Sequence, residues 1–349
     1  MNIKQRRGIG AITIEEIARL ADVSRSTVSR VLNNHPSVRP QVRARVLDVM
    51  RAQDYTPNAA ARSLASARSH VLGLVIPRSA AQIFTDPFFA LALQGINEAC
   101  VACGYFLMLS MVTAEREEGF YEQVLRGQHL DGILMLSSDI DDPLLPRLHR
   151  DRVPLVLIGQ HPYLERIVSV DVDNQAGAHT AVEHLIRLGH RRIATISGPL
   201  MMTAGLARRD GYQQALLAAG IPICPDLQVE GDFTQEGGYA AMRRLLALAE
   251  RPQAVFVASD TMAFGAMRAL SEAGLRAPGD LALIGFDDLP AAAYSSPPLT
   301  TVHQPIGELG AGAVRILINL IETPESPPPQ ISLLQAKLVV RASCGAGNR

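Results

Sequence analysis

The sequence predicts a small all-α helix-turn-helix head joined to an α/β body of two doubly wound parallel-sheet lobes. Two observations place the body. From residue 71 onward short apolar runs alternate with longer helical patterns, first VLGLVIP, YFLMLS, GILMLS and PLVLIG, then RIATISG, VFVAS and LALIGF, which is how parallel strands with crossover helices read. The break at SVDVDNQAG, followed by AGAHTAVEHLIRLGH, divides these runs into two series and hence two lobes. A third observation, the segregation of charge, marks the head. Residues 1–70 hold twelve basic side chains against five acids, although the whole chain has a formal net charge of -1. A cationic fifth joined to an anionic remainder points to a polyanion partner for the head alone.

At 349 residues the chain exceeds one ordinary core, so two or three folding units are expected. It is 48% hydrophobic and 19% charged. No apolar run approaches the roughly 20 residues that cross a bilayer, and the start MNIKQRRGIG has no apolar signal core. The expected location is therefore the cytoplasm, away from any membrane. Four cysteines make neither a disulfide framework nor a metal site, and the Cys100–Cys103 pair falls in the apolar helical pattern FFALALQGINEACVACG, where both read as small hydrophobes.

Within the head, Thr13 and Glu16 have the spacing of a capping box, and Ile14, Ile17, Ala18 and Ala21 fall on one helical face. After a break at Asp22-Val23, Ser24 caps a second helix, SRSTVSRVLNN, with Val28, Val31 and Leu32 inward. Pro40 opens a third helix that buries Val42, Val46, Val49 and Met50. The polar face of the second helix offers Arg25, Ser26, Ser29 and Arg30, which in a DNA groove would reach base edges or phosphates. On spacing alone the same face suits an ordinary solvated three-helix domain.

The stretch ITIEEIARLADVSRSTVSRVLNNHPSVRPQVRARVLDVMRAQDYTPNAAARSLASARS closely resembles the N-terminal head of LacI/GalR-family repressors, with VSRSTVSRVLN its most specific part. The resemblance implies that Arg25 and Ser26 occupy the positions that vary operator preference and that Arg30 contacts a base. Arg39 departs from the serine or threonine that commonly caps the third helix. The DNA-binding set implied is Thr13, Ser24, Arg25, Ser26, Thr27, Ser29, Arg30 and Asn33 in the head, with Asn58, Arg62 and Leu64 in the hinge.

The segment NAAARSLAS, capped by Asn58, is shorter than the ~12–15 residues at which isolated helices become marginal. Its helix is expected to form only when paired with a second subunit on DNA. By resemblance Leu64 is the leucine lever that wedges between central base pairs in the minor groove; otherwise it packs on its twin in a dimer. Expected domains are the head at 1–57, the hinge at 58–69 and the body at 70–349. The lobes comprise about 70–165 plus 291–325, and about 166–290 plus 326–349, with crossings near 165, 290 and 325.

The resemblance continues through VDVDNQAG, HLIRLGHRRIATISGP, ARRDGYQQAL, GDFTQEGGY, VFVASDTMAFGAMRAL, IGFDDL and PPLTTVHQP. It implies a type I periplasmic-binding-protein-like fold used as a sensor, with a small-molecule effector between the lobes. The implied effector-binding residues are Phe88, Arg208, Phe233, Asp260 and Asp287. Arg208 offers a rigid fork of donors, the aspartates accept hydroxyl hydrogens and the aromatic rings give stacking area, which suits a sugar or polyol. Alternatively Arg208 and Asp287 form an interlobe ion pair, and the two phenylalanines are core residues. Met202 and Ala204 stand where the purine-sensing branch has polar contacts, and Gly159 where many sugar-sensing relatives have an acid.

Asp139, Asp141 and Asp142 precede an apolar helix and read as a capping cluster rather than a metal site. His179, His184, His190 and His303 are scattered, and neither a phosphate loop nor a nucleophile elbow occurs. No cofactor, metal or catalytic residue is expected. A single head reads a short half-site, so a homodimer on a palindromic double-stranded operator follows. No leucine heptads suggest a tetramer. Release by a sugar-like inducer is expected; co-repression by a nucleoside or other metabolite is the alternative. A solute-binding protein would share the body but not the basic head, and an enzyme on this scaffold would need a catalytic cluster that the sequence lacks.

Overall fold

The computed structural model describes residues 12–32, 35–55, 68–112, 117–122, 129–137, 139–164, 166–323, 325 and 329–346. The chain divides into two units, residues 1–69 and 70–349.

In the first unit helix α1 (Ile14–Leu20) opens on a complete capping box. The Glu16 N–H donates to Thr13 Oγ1 at 3.3 Å and the Thr13 N–H to Glu16 Oε2 at 3.0 Å. Asp22 takes φ 50° and turns the chain into α2 (Arg25–Leu32), whose Thr27 N–H donates to Ser24 Oγ at 3.2 Å. Pro40 begins α3 (Pro40–Ala52), and Arg39 makes no side-chain cap there, consistent with its lacking a short acceptor. The three helices bury Ile17, Ala18, Ala21, Val28, Val31, Val46 and Met50, with Val38 of the connecting loop closing the same core.

The second unit contains two six-stranded sheets. In chain order its elements begin with β1 (Val71–Ile76), α4 (Ala80–Thr85), α5 (Pro87–Ala102), β2 (Phe106–Met111), α6 (Glu117–Phe120), β3 (Gly132–Leu136), α7 (Leu144–Arg150), β4 (Leu155–Ile158) and β5 (Ser169–Val172). They continue with α8 (Asn174–Arg187), β6 (Ile193–Ser197), α9 (Thr203–Ala218), β7 (Gln228–Glu230), α10 (Gln235–Leu246), β8 (Ala254–Val257), α11 (Asp260–Glu272) and β9 (Ala282–Asp287). The last are β10 (Thr300–His303), α12 (Ile306–Glu322), β11 (Ile331–Leu334) and β12 (Lys337–Val339). The first sheet runs β11-β5-β4-β3-β1-β2 and the second β12-β10-β9-β8-β6-β7. All pairings are parallel except β10 with β12. The order reverses beside β1 in one sheet and β6 in the other, so each lobe has a switch point at the carboxyl ends of its strands. Central strands VLGLVI, GILML, AVFV and ALIGFD are almost wholly buried, as strands covered on both faces must be. Among the described residues no helix is long and apolar enough to cross a membrane.

Sheet membership corrects the expected crossings. β5 at 169–172 belongs to the first sheet, β10 at 300–303 to the second, and β11 at 331–334 to the first. The chain thus crosses between Val172 and Asn174, between His303 and Ile306, and between Leu334 and Lys337. Short strands such as SVDV read alike whichever sheet they join, because periodicity reports burial and not the pairing partner.

Helices α10 and α11 meet at backbone distance. A Cβ on Gly265 would lie 1.8 Å from the Gln235 carbonyl oxygen, and one on Gly238 2.1 Å from that of Met262. Both helices start at the ligand-facing end of the second sheet, so their separation sets one wall there. Gly265→Ala gains about 1 kcal/mol of helix propensity, but forcing the helices apart costs about 1–3 kcal/mol. A net loss of stability is expected in denaturant unfolding; a more stable variant would contradict the contact.

Candidate functional site

The head presents one exposed polar face. Thr13, Ser24, Arg25, Ser26 and Arg30 are exposed, while Thr27 and Ser29 are half-buried. Ser24 Oγ lies 2.8 Å from Ser26 Oγ and 2.9 Å from Thr27 Oγ1, so the first turn of α2 is ordered by its own hydroxyls. Arg25 Nε pairs with Glu15 at 3.2 Å, with both side chains more than half exposed. Such a pair is worth under about 1 kcal/mol and yields readily to a base or phosphate. Arg45 donates to the Asp22 carbonyl at 3.3 Å and Arg43 to that of His35 at 2.6 Å, so these α3 arginines brace the loops on either side of α2. Asn33, Asn58, Arg62 and Leu64 lie outside the described residues, as does 58–67 of the expected hinge.

The body holds a cleft of about 800 Å³ between its two lobes. Its walls are the segments that follow strand carboxyl ends: Arg78 after β1, Ser137 and Asp139 after β3, Phe233 after β7, Ser259 after β8, Asp287 ending β9 and Gln304 after β10. Among the described residues, hydrogen bonds cross between the lobes around it. Ile140 N–H donates to the Met201 carbonyl at 2.8 Å, Thr203 Oγ1 to the Gln160 carbonyl at 2.8 Å, and Thr261 Oγ1 to Asp86 Oδ1 at 3.3 Å. Ser137, Phe233 and Asp287, all cleft residues, have φ of 62°, 64° and 120°, a left-handed geometry that side chains other than glycine rarely adopt. Backbone strain of this kind collects at ligand sites.

Arg208, on α9, is the centre of the site and only 5% exposed. Its Nε donates to Asn174 Oδ1 at 2.8 Å, and its Nη1 donates to the Ala258 carbonyl at 2.5 Å and to Asp287 Oδ1 at 3.3 Å. The guanidinium also stacks 3.7 Å over the Phe286 ring. Two of its nitrogens are thus fixed by protein, leaving Nη2 as the donor for a ligand. Gln304 Nε2 donates to Asp287 Oδ1 at 2.5 Å, so the interlobe strand end is tied into the same network. Phe88 and Phe233 supply apolar faces; the Phe233 ring lies 6.0 Å from the Arg208 guanidinium. Phe233 rests directly on Gly198, where a Cβ would come within 2.1 Å of its ring.

Burial dominates the titration of the carboxyls. It pushes Asp287 up to about 7 against the opposing pull of Arg208, and Asp171 up to about 6 against hydrogen bonds from Val172, Gln160 and Asn174. Burial raises Asp86 as well. Asp171 binds its proton more tightly folded than unfolded, so its contribution to stability falls as pH rises from about 4 through 6. A carboxyl held near 6 rather than 3.8 corresponds to about 3 kcal/mol at most. Asp171→Asn is therefore expected to gain stability over the native chain as pH rises through this window. Parallel thermal unfolding profiles for the two would contradict it.

Of the five expected effector residues, Phe88, Arg208, Phe233 and Asp287 line the cleft. Asp260 does not: it is 0% exposed, accepting from Thr301 Oγ1 at 2.6 Å and from the Leu289 N–H at 2.8 Å. Its carboxylate joins the end of β9 to β10 inside the lobe, a direction that its place after VFVAS could not reveal. Arg208 and Asp287 do pair, but within the second lobe rather than between the lobes, because α9 and the end of β9 both belong to it; both residues also line the cleft. Sequence reasoning missed Asp171, Asn174, Gln160 and Gln304. The polar letters inside VDVDN and after TVH were the available signal. Asp142 accepts from the Leu144 and Leu145 N–H groups at 2.9 and 3.2 Å and caps α7, whereas Asp139 forms a two-pronged ion pair with Arg78. Cys100 is buried, and burial holds its thiol near 11, but Cys103 is exposed at the end of α5 rather than buried.

Comparison with known proteins agrees with both units. Residues 13–58 match the family described as bacterial regulatory proteins, lacI family, and residues 182–344 a periplasmic binding protein-like domain. The chain is 40% identical over 333 residues to the HTH-type transcriptional regulator CelR of Thermobifida fusca, covering 95% of this chain and 98% of that one. It is 36% identical over 323 residues to the ribose operon repressor of Escherichia coli (strain K12), covering 92% and 96%. The structure matches a CelR–cellobiose complex with a TM-score of 0.76 at 39% identity, covering 95% and 99% of the two chains. It matches a Lac repressor dimer bound to operator and the anti-inducer ONPF with a TM-score of 0.83 at 29% identity, covering 96% and 99%. With a helix-turn-helix head, a two-lobed body around Arg208 and relatives of this identity along nearly its whole length, the chain belongs to the LacI family of DNA-binding transcriptional regulators.

Proposed function

We propose that the protein represses a carbohydrate-uptake or catabolic operon from the cytoplasm, leaving a palindromic operator when a sugar-like effector binds between the lobes. The observation that carries this reading is the Arg208 fork, held by Asn174 and Asp287 at the meeting of both lobes beside Phe88 and Phe233. Donor, acceptors and aromatic faces together suit a polyhydroxylated ring. That the related CelR was solved with cellobiose and that another relative is a ribose operon repressor supports the same class of effector. The Lac repressor match, a dimer on its operator, supports two heads reading two half-sites.

In this reading the effector changes the angle between the lobes, which moves the paired hinges and so weakens operator contact. Reciprocal coupling follows, with operator DNA weakening effector binding by the same factor. Residues 58–69 are the proposed hinge and Leu64 its minor-groove lever. Leu64→Ala is expected to remain a folded dimer but to bind operator at least tenfold more weakly, because no wedge holds the kink. An unchanged gel-shift titration would remove the lever. The proposal as a whole is tested by selecting duplex DNA from a random pool with purified protein, then repeating with a sugar panel. A palindromic consensus that sugar disperses is expected; selection of no sequence would reject the reading.

A further inference from the structure

The cleft has two compartments. An inner recess of about 70 Å³ lies behind Phe88 and Arg208, lined by Asp171, Asn174 and Gln160 against apolar Leu157 and Leu309. The outer compartment of about 800 Å³ shares Phe88 and Arg208 with it and extends past Phe233 to Arg78 and Asp139. This is near the top of the ~300–1,000 Å³ range of small-molecule sites, and far more than one pyranose fills.

The outer compartment is also uneven in charge. Its two cations are both matched: Arg78 grips Asp139 through both guanidinium nitrogens, and Arg208 is committed to Asp287. Three further carboxylates, Asp86, Asp232 and Glu236, line the same space. Asp86 is occupied by the Phe88 N–H and Thr261, and Asp232 by the Thr234 N–H and hydroxyl, but among the described residues none of the three forms an ion pair within 4.0 Å. A phosphate or carboxylate entering here meets net negative charge, and Arg208 Nη2, the nitrogen left for a ligand, belongs to a cation already paired with Asp287. A neutral polyol meets hydroxyl acceptors at both ends and two aromatic faces between them.

From this we infer that the effector is an uncharged saccharide of at least two rings. One end enters the recess of Asp171 and Asn174, and a second ring lies along Phe233 toward the Arg78–Asp139 pair. Sugar phosphates and uronates are rejected by charge. The inference rests on the cleft being a sugar site.

Isothermal titration calorimetry of the full-length protein separates the two claims. The titrants are cellobiose, maltose and lactose; glucose, galactose and ribose; glucose 6-phosphate and galacturonate; with adenosine and amino acids in parallel. At least one disaccharide is expected to bind tenfold or more tightly than every monosaccharide, with no heat from the anionic sugars. A monosaccharide or an anionic sugar as the tightest ligand overturns the inference but leaves the sugar reading intact. Binding of adenosine or an amino acid with all sugars silent overturns the sugar reading itself. The Asp232→Asn, Glu236→Gln double variant, altered only at exposed side chains, is expected to acquire galacturonate binding. Continued exclusion of that anion would overturn the charge argument.

Discussion

Replacing Arg208 by leucine is expected to erase the response to cleft ligands and to destabilise the body by about 3–5 kcal/mol at pH 8, the usual result of stripping one partner from a buried ion pair. Asp287, 4% exposed, would keep uncharged hydrogen-bond donors such as the Gln304 amide but lose its paired cation, and Asn174 and the Ala258 carbonyl would lose their donor. The effect has a definite pH dependence. Arg208 pulls the Asp287 carboxyl down, so without it that carboxyl titrates still higher than about 7. Its folded value then exceeds the ordinary 3.8 by more, and stability falls further as pH rises through the folded value. The penalty is therefore expected to be smaller at pH 6 than at pH 8. Arg208→Lys keeps the charge but not the fork, so it should recover much of the stability and little of the ligand response. Equal ligand-induced thermal shifts in native chain and lysine variant would show that the fork is not the clamp.

The second large effect belongs to the head. Residues 1–70 carry twelve basic side chains and five acids, and the exposed face of α2 offers Arg25 and Arg30. Neutralising phosphates releases counterions, so log operator affinity should fall against log salt with a slope of about -0.9 per phosphate contacted. A head making six or more such contacts loses about a thousandfold or more between 50 and 200 mM salt. Arg30→Ala should lose about 1–3 kcal/mol at the base pair it reads and relax discrimination there alone. Arg25→Ala also removes the cation that pairs with Glu15 at 3.2 Å among the described residues, leaving an acid beside the DNA face. Its loss should therefore exceed that of Arg30→Ala on every sequence tested. A flat salt response would contradict the charge map, and equal losses the role given to Glu15.

Much of this fold is legible from local rules. The Thr13–Glu16 box, the Ser24 cap and the stripe Val28–Val31 each depend on neighbours a few residues apart, and they form as their spacing implies. The strands of both lobes announce themselves as short apolar runs for a similar reason. What local rules cannot supply is the partner across space. β5, β10 and β11 join sheets other than the expected ones, because a four-residue strand carries no record of its neighbour. The site shows the same division. Arg208 and Asp287 lie 79 residues apart in sequence yet meet at 3.3 Å, and it was the resemblance, rather than any periodicity, that paired them. Asp260 looked equivalent to Asp287, each following an apolar strand, but one faces the lobe interior and the other the cleft. Asp171 and Asn174 escaped notice because their polarity is spent on Arg208 and the local backbone, an arrangement visible only once β5 ends beside α9.

The central claim is that one ligand between the lobes governs the grip of the head on DNA. The direct measurement is fluorescence anisotropy of the selected palindromic duplex titrated with full-length protein at fixed salt, with and without the tightest-binding saccharide. Sugar is expected to weaken binding by about 5- to 150-fold, the usual range of coupling between sites, while Arg208→Lys binds the duplex and ignores the sugar. Identical titration curves for native protein with and without a saccharide that saturates the cleft would contradict the account.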